Sequence, residues 1–342
     1  MDHALTSQDA ASSKAEAGDR PARLWVICPV YLDVESFLQL RVEVRRVIGA
    51  DPAFAPMDLR FVVVDDTGGQ DGEIVRLAPF GDVRVITPPF NVGHQRAIVH
   101  ALRVIKPDVI RADILVTMDA DGEDQPADLP RLLAELRRPP EAPAPVVLAQ
   151  RTKRRESPTF KVLYFFFKLM FRSLTGTSIR TGNLAAYGGW LTERVIHHPH
   201  FDLCYSSSLI SLNLCVRLVP CERGVRYAGQ SRMGFSRLVL HGVRMLMPFM
   251  ERIAVRALIL FGATFALGIV CSCVVVGIKL FTDLAIPGWT SSMLFLVLLL
   301  SSSALGNFIL VFISFSMSNG LTLRGLHTGV PEAGPGARSG GA

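Results

Sequence analysis

Asp119 and Asp121 stand one residue apart at the end of an apolar, β-branched run, and Glu123 repeats the spacing. Two carboxylates so placed in an extended turn can aim at one point. Hard oxygen ligands of this kind suit Mg2+ or Mn2+, with water and phosphate oxygens completing the shell. Three like charges this close repel one another, and a cation between them removes the repulsion. The same letters also describe a solvated acidic turn, so the position of the turn in the fold decides between the two. A second acidic pair, Asp65-Asp66, follows Phe61 to Val64. A carboxylate there either accepts hydrogen bonds from a ribose or base or caps the next helix. Pro29-Val-Tyr31 offers a rigid loop and an aromatic ring for a base.

Positioning these groups requires strands that end at one edge. Residues 24–28, 59–64, 83–86, 113–117 and 145–149 are short apolar runs rich in β-branched residues and read as buried strands. Residues 33–48, 93–105 and 127–136 lie between them, with apolar residues at three- and four-residue steps, and read as helices. Alternation of strand and helix implies an α/β fold with a doubly wound, mostly parallel sheet and helices on both faces. Such sheets bind ligands outside the carboxyl ends of their strands. Asp33, the Asp65–Asp71 segment and the Asp119–Glu123 segment all fall at such ends.

The chain has 342 residues, 49% of them hydrophobic, and the excess is concentrated near the C-terminus. The apolar runs 255–278 and 291–317 are each long enough for a helix to cross a bilayer, which takes about 20 residues for roughly 30 Å of hydrocarbon. Pro287, Gly288 and Trp289 in the connection suit a tight turn with an interfacial aromatic anchor, so the pair reads as a transmembrane hairpin. Arg252 and Arg256 at its start and Arg324, His327 and Arg338 after its end place both termini on the cytoplasmic side of the inner, cytoplasmic membrane. A pair of buried core helices is the plainer alternative. The expected organisation is a disordered tail over 1–22 without the apolar core of a signal peptide, a catalytic domain over 23–234, an amphipathic interfacial segment over 235–254, the two spans, and a flexible tail over 318–342.

The six cysteines form no CxxC pair, which argues against disulfides and zinc. The net charge of +6 resides in residues 151–172, where seven basic side chains face Glu156 alone. Anionic lipid headgroups or other polyanions are its natural partners, and nucleic acid is not expected. Within that segment Phe160 to Phe171 is apolar around most of its circumference, and it either lies in a membrane interface or packs as a core helix.

Taken in order, the Pro29-Val-Tyr31 loop, the Asp65-Asp66 strand end and Asp119-x-Asp121 resemble the family 2 glycosyltransferases of the GT-A fold. The likeness continues through Asn91-Val-Gly93-His94-Gln95-Arg96, Gln150-Arg151 and Arg232-Met-Gly-Phe-Ser-Arg237, and covers roughly residues 23–320. With the helical hairpin, it points to the dolichol- and polyprenyl-phosphate glycosyltransferases. The resemblance implies that Pro29, Tyr31, Asp33, Asp65, Asp66, Asn91 and Gln95 bind a UDP- or GDP-sugar, and that Asp119, Asp121 and Glu123 hold the divalent ion. Asp119, Asp121 and Arg232 would be the catalytic set, with Arg232 on the donor phosphates; Arg151, Arg155 and Ser236 would bind the phosphate of a membrane acceptor, a polyprenyl phosphate. The chain is compatible with a homo-oligomer.

Three features depart from the family. Asp33 stands where a Glu is usual. The second strand end reads Asp65-Asp-Thr-Gly-Gly-Gln-Asp71, and Thr181-Gly-Asn-Leu-Ala-Ala-Tyr187 lacks the acid and arginine usual in the sugar-phosphate enzymes. A phosphate monoester acceptor is already an anionic nucleophile, whereas a hydroxyl acceptor needs a general base. Asp202 is the residue available for that role, or else a helix cap. A hydroxyl-directed glycosyltransferase, a polysaccharide synthase, a nucleotidyltransferase and a catalytically silent membrane scaffold are the competing readings.

Overall fold

The computed structural model describes residues 20–138, 145–151, 158–178, 181–192, 198–212, 214–228, 235–282 and 287–319. The chain divides into two compact units, one up to Phe249 and one from Met250 onwards.

Seven strands form the sheet of the first unit: β1 (Arg23–Val30), β2 (Asp58–Asp65), β3 (Val83–Ile86), β4 (Ile114–Thr117), β5 (Val146–Arg151), β6 (Thr181–Gly188) and β7 (Val216–Cys221), in the spatial order β3-β2-β1-β4-β6-β5-β7. Strands β3, β2, β1 and β4 run parallel to one another, as do β5 and β7. β6 is inserted between β4 and β5 and runs antiparallel to both. The register sets Val30 opposite Asp65 and Ile27 opposite Thr117. The loops that follow β1, β2 and β4 therefore leave the same edge of the sheet.

Both faces of the central strands are apolar, so both must be covered. On one face Leu24, Val26, Cys28, Phe61 and Val63 pack against Phe37, Leu40 and Val44 of helix α1 (Val34–Ala50) and Leu129, Leu132 and Leu133 of α3 (Leu129–Arg137). On the other, Trp25, Ile27, Val62 and Val64 meet Ala97, Ile98 and Leu102 of α2 (His94–Ile105) and Tyr205 and Leu209 of α5 (Tyr205–Ser211). Successive residues of β1 alternate between the two cores, as the period of a strand demands. The doubly wound α/β arrangement expected from the alternation of strands and helices is the one that forms. Strands β6 and β7 and helix α5 were not foreseen.

The start of β4 is anchored by Asp113, whose carboxylate is fully buried. It accepts hydrogen bonds from Arg20 Nη1 and Nη2 (2.9 and 2.5 Å), the Arg23 N–H (2.8 Å), Trp25 Nε1 (2.9 Å) and the Ile110 N–H (3.1 Å). Burial by itself would raise its pKa, but these donors outweigh it and hold the carboxyl below the usual range.

Helix α4 (Pro158–Thr175) buries Phe171 but turns Phe165, Phe166, Leu169 and Met170 outward, so it is not a core helix all round. Helix α6 (Phe235–Leu246) runs beside it: a Cβ on Gly242 would lie 3.0 Å from the Phe167 ring. Val239, Leu240 and Val243 of α6 are likewise exposed.

The second unit is a pair of helices, α7 (Met250–Phe281) and α8 (Trp289–Asn319). At 1.5 Å per residue they are about 48 and about 46 Å long, against roughly 30 Å of hydrocarbon in a bilayer. Both are long and apolar enough to cross a membrane, and little of their apolar surface is buried. Arg256 falls inside the run 255–278, so the charge-free part of α7 begins at Ala257. The helices meet through small residues. A Cβ on Gly268 would lie 1.9 Å from Ser301 Oγ, so only glycine permits this approach, and Ser301 and Ala304 are buried.

Candidate active site

The loop after β2 is organised by its own acids. Asp65 Oδ1 accepts from the Thr67 N–H (3.1 Å) and the Thr67 hydroxyl (2.5 Å), and Thr67 Oγ1 in turn accepts from the Gln70 and Asp71 N–H groups (3.0 Å each). Asp71 caps the short 3-10 helix Gly72–Leu77 through the Glu73 N–H (3.0 Å). Each of the two carboxylates keeps one oxygen, Asp65 Oδ2 and Asp71 Oδ2, that is buried and without a hydrogen-bond partner among the described residues. Asp66 reaches across to the next loop, where its Oδ1 accepts from the Val92 N–H (2.7 Å) and the Gly93 N–H (3.2 Å). Burial lifts its pKa against those two bonds. Asp66 thus ties the Asn91–Gly93 segment, immediately before α2, to the end of β2; the local helix cap is Asp71 instead.

The loop after β4 is folded back on itself and clasped from outside. The Asp119 N–H donates to Asp124 Oδ2 and the Glu123 N–H to Asp121 Oδ1, both at 3.0 Å. The segment after β7 then closes over it. The Gly224 N–H donates to the Glu123 carbonyl and the Tyr227 N–H to the Asp121 carbonyl, both at 2.9 Å. Gly122 has φ +87°, and a Cβ there would come within 2.8 Å of the Tyr227 ring, so this turn favours glycine. Arg226 pairs with Asp121 Oδ2 (2.7 Å) and Glu123 Oε1 (2.9 Å), while Arg223 pairs with Glu123 Oε2.

Electrostatics separate the four acids of this loop. Burial, followed by repulsion from Asp119, pushes the Asp121 carboxyl up to about 6. Burial and the same neighbour push Asp124 up to about 7, against the pull of Arg151. Glu123 goes the other way, because the two arginines outweigh its burial. Asp119 and Asp121 therefore fit a divalent ion: their unfavourable proximity is what such an ion relieves. Glu123 is turned to the arginines: its two oxygens pair with Arg223 and Arg226, as Asp121 Oδ2 pairs with Arg226, and among the described residues no group of three or more His, Cys, Asp or Glu side chains is arranged to hold a metal. Of the three carboxylates expected to cluster, two are thus found in an arginine clasp.

Other expected residues land as follows. Pro29 is the half-buried penultimate residue of β1, Tyr31 is exposed, and Leu32 beside it has φ +50°, a left-handed conformation that costs energy in a non-glycine residue. Asp33 precedes α1, and Asn91 is exposed. Gln95 is buried and bonded to Asn183, whose Nδ2 donates to Asp119 Oδ1 at 2.9 Å. Arg151 lies over Gly182, 3.4 Å from Asp124 Oδ1 and 4.0 Å from Asp119 Oδ2, so its charge is directed at the acidic loop. Asp202 neither caps a helix nor stands free as a base. Its Oδ2 pairs with Arg103 at 2.7 Å and its carbonyl accepts from Arg96. Arg155, Arg232 and the Ser236 side chain lie outside the described residues. Asn183, Asp124, Arg223, Arg226 and Tyr227 were not anticipated. Only Asp124 carried a signal in the sequence, as a further acid in the same turn.

Residues 25–188 match the family model Glycosyl transferase family 2. The undecaprenyl-phosphate 4-deoxy-4-formamido-L-arabinose transferase of Salmonella paratyphi A is 24% identical over 253 residues, spanning 71% of this chain and 72% of that protein. Among solved structures, the mannosyl-3-phosphoglycerate synthase of Rubrobacter xylanophilus is 17% identical with a TM-score of 0.46, over 72% of this chain and 77% of that one. A mannosyltransferase from Pyrobaculum calidifontis in complex with GDP-Man and Mn2+ is 16% identical with a TM-score of 0.37, over 91% and 83%. Residues 25–188, which hold both acidic loops, are a glycosyltransferase family 2 domain, and the chain is a glycosyltransferase.

Proposed function

We propose that the protein transfers a sugar from a nucleoside diphosphate to the phosphate of a membrane-embedded polyprenyl phosphate. The observation that carries this reading is the pair of buried, unpartnered carboxylate oxygens on Asp65 and Asp71 at the same sheet edge as Asp119 and Asp121. Buried acceptors of this kind call for N–H or O–H donors, which a base and a ribose supply. Asp119 and Asp121 would hold a divalent ion, which neutralises the charge growing on the departing diphosphate. Arg226, already at this loop, adds positive charge next to the same position, and Arg232 in the following segment is assigned to the donor phosphates.

The acceptor assignment has three supports. The relative from Salmonella paratyphi A is named for an undecaprenyl-phosphate substrate. Arg151 stands 4.0 Å from Asp119, where a phosphate nucleophile would need a cation to approach the acids. Finally, α4 and α6 present Phe165, Phe166, Leu169, Met170, Val239, Leu240 and Val243 outward, an apolar surface suited to the interfacial layer of a bilayer. Helices α7 and α8 are read as the spans that anchor the chain in the cytoplasmic membrane, with both termini in the cytoplasm. Asp202, the base suggested for a hydroxyl acceptor, is exposed and paired with Arg103.

The decisive experiment screens UDP- and GDP-sugars against a short-chain polyprenyl phosphate, using full-length protein with Mg2+ or Mn2+, and identifies the product by mass. A sugar-phosphate-linked lipid formed only with the divalent ion is the expected result. Full turnover in excess chelator overturns the metal assignment, and transfer to a hydroxyl lipid alone overturns the acceptor assignment.

A further inference from the structure

Asp119 is reached from inside the fold by a chain of amide hydrogen bonds. The Ser206 N–H, in the first turn of α5, donates to Gln95 Oε1 at 2.9 Å, and the Cys204 thiol lies 3.5 Å from the same oxygen. Gln95 Nε2 donates to Asn183 Oδ1, and Asn183 Nδ2 donates to Asp119 Oδ1 at 2.9 Å. Gln95 and Asn183 are only 8% and 7% exposed, so water does not compete freely for these bonds.

The direction of the chain is forced. A backbone N–H can only donate, so the oxygen of Gln95 must face Ser206 and its NH2 must face Asn183. That turns the Asn183 oxygen toward Gln95 and leaves only its NH2 for Asp119. The backbone of Asn183 is itself fixed, since its carbonyl accepts from Thr117 Oγ1 at 2.6 Å, two residues before Asp119 on β4.

We propose that Asn183 and Gln95 are positioning residues for Asp119: they occupy its Oδ1 and set the carboxylate so that Oδ2 is the oxygen presented to the divalent ion. This rests on the reading of Asp119 as a ligand of that ion. The chain makes an unusual demand on a distant substitution. In Gln95→Glu the new carboxylate accepts from Ser206 but cannot donate to Asn183. If Asn183 turns its NH2 toward the ionised Glu, its oxygen meets Asp119; if it does not turn, its oxygen meets Glu; in each case two acceptors are set against each other. A change two side chains away, nearly isosteric and without contact to Asp119, thus disturbs the acid.

The test uses full-length protein in detergent, with Mn2+ binding followed by electron paramagnetic resonance, thermal melts, and crystal structures of the wild type and Gln95→Glu. Gln95→Glu and Asn183→Ala should each weaken Mn2+ binding roughly 10- to 100-fold, and the double variant should be no weaker than Asn183→Ala alone. Melting temperatures without metal should fall by a few degrees, as unpaired buried amides require, with the fold retained. Wild-type Mn2+ affinity in Gln95→Glu overturns the proposal, whether or not Asn183→Ala is impaired. If the wild-type protein takes up no Mn2+, it is the metal reading under Proposed function that fails. The positioning chain is then judged on the crystal structures: a rotated Asp119 in Gln95→Glu upholds it and an unmoved one overturns it.

Discussion

The two acidic loops leave the same sheet edge, yet their charges are handled in opposite ways. After β2, Asp65, Asp66 and Asp71 have no ion-pair partner among the described residues; backbone and threonine donors hold them, and two of their oxygens are buried without a bond. After β4, Asp121, Glu123 and Asp124 are each matched by a guanidinium, from Arg226, Arg223 or Arg151. A buried acceptor without a partner costs about 1–3 kcal/mol, which a ligand with a well-placed N–H or O–H recovers. A carboxylate already balanced by an arginine can exchange that partner for a metal ion while the freed guanidinium meets phosphate. The first loop is thus suited to reading the hydrogen-bond donors of a ligand, and the second to balancing its charge.

The largest effect should come from the second loop. Asp121→Asn keeps the shape and removes the charge, and initial-rate assays of sugar transfer should show a loss of about 100- to 1000-fold with little change in melting temperature. Rates close to wild type would erase the contrast drawn above. Asp113→Asn, at the opposite end of β4, is the structural counterpart. It leaves a buried carboxylate site half-satisfied and should cost about 3 kcal/mol of stability without altering kcat per folded molecule. Because its folded pKa is held below the ordinary value, the stabilisation from Asp113 is complete above the unfolded pKa of about 3.9 and is lost as pH falls through the folded one. Melts taken down into acid should therefore show a steep drop in wild-type protein that Asp113→Asn lacks.

A smaller change is expected in the first loop. Asp65→Asn preserves Oδ1 and its bonds to Thr67 but replaces the unpartnered oxygen with a donor, so the KM for the nucleotide sugar should rise about tenfold. Steady-state kinetics in which only kcat moves would show that this oxygen does not face the donor. Gly122→Ala should have the mildest consequence, about 1 kcal/mol or a fall of about 2–4 °C in Tm. An unchanged Tm would mean that the Tyr227 contact yields without cost.

How much of this was legible depended on the range of the interactions. The strand runs at 24–28 and 59–64 announced themselves because a strand buried on both faces must be continuously apolar. β6 did not, since five of the eight residues of Thr181-Gly-Asn-Leu-Ala-Ala-Tyr-Gly188 are Gly, Asn or Ala, with weak strand preference, and it becomes a strand by pairing with β4 and β5. Asn183 was invisible as a site residue for the same reason. Asp202 was misread because both of its suggested roles rested on neighbours in sequence, whereas its partner Arg103 lies 99 residues away.

The sequence by itself determined which strands carry acids at their ends, and that two helices are apolar enough to cross a bilayer, because periodicity, hydropathy and strand-end chemistry are properties of local stretches. The tertiary structure alone decided which charges meet. Glu123 reaches Arg223 across 100 residues of chain and Asn183 reaches Asp119 across 64, through the closure of the segment after β7 and the insertion of β6. Pairings over such separations depend on how the whole sheet is threaded, and no local pattern of residues records that.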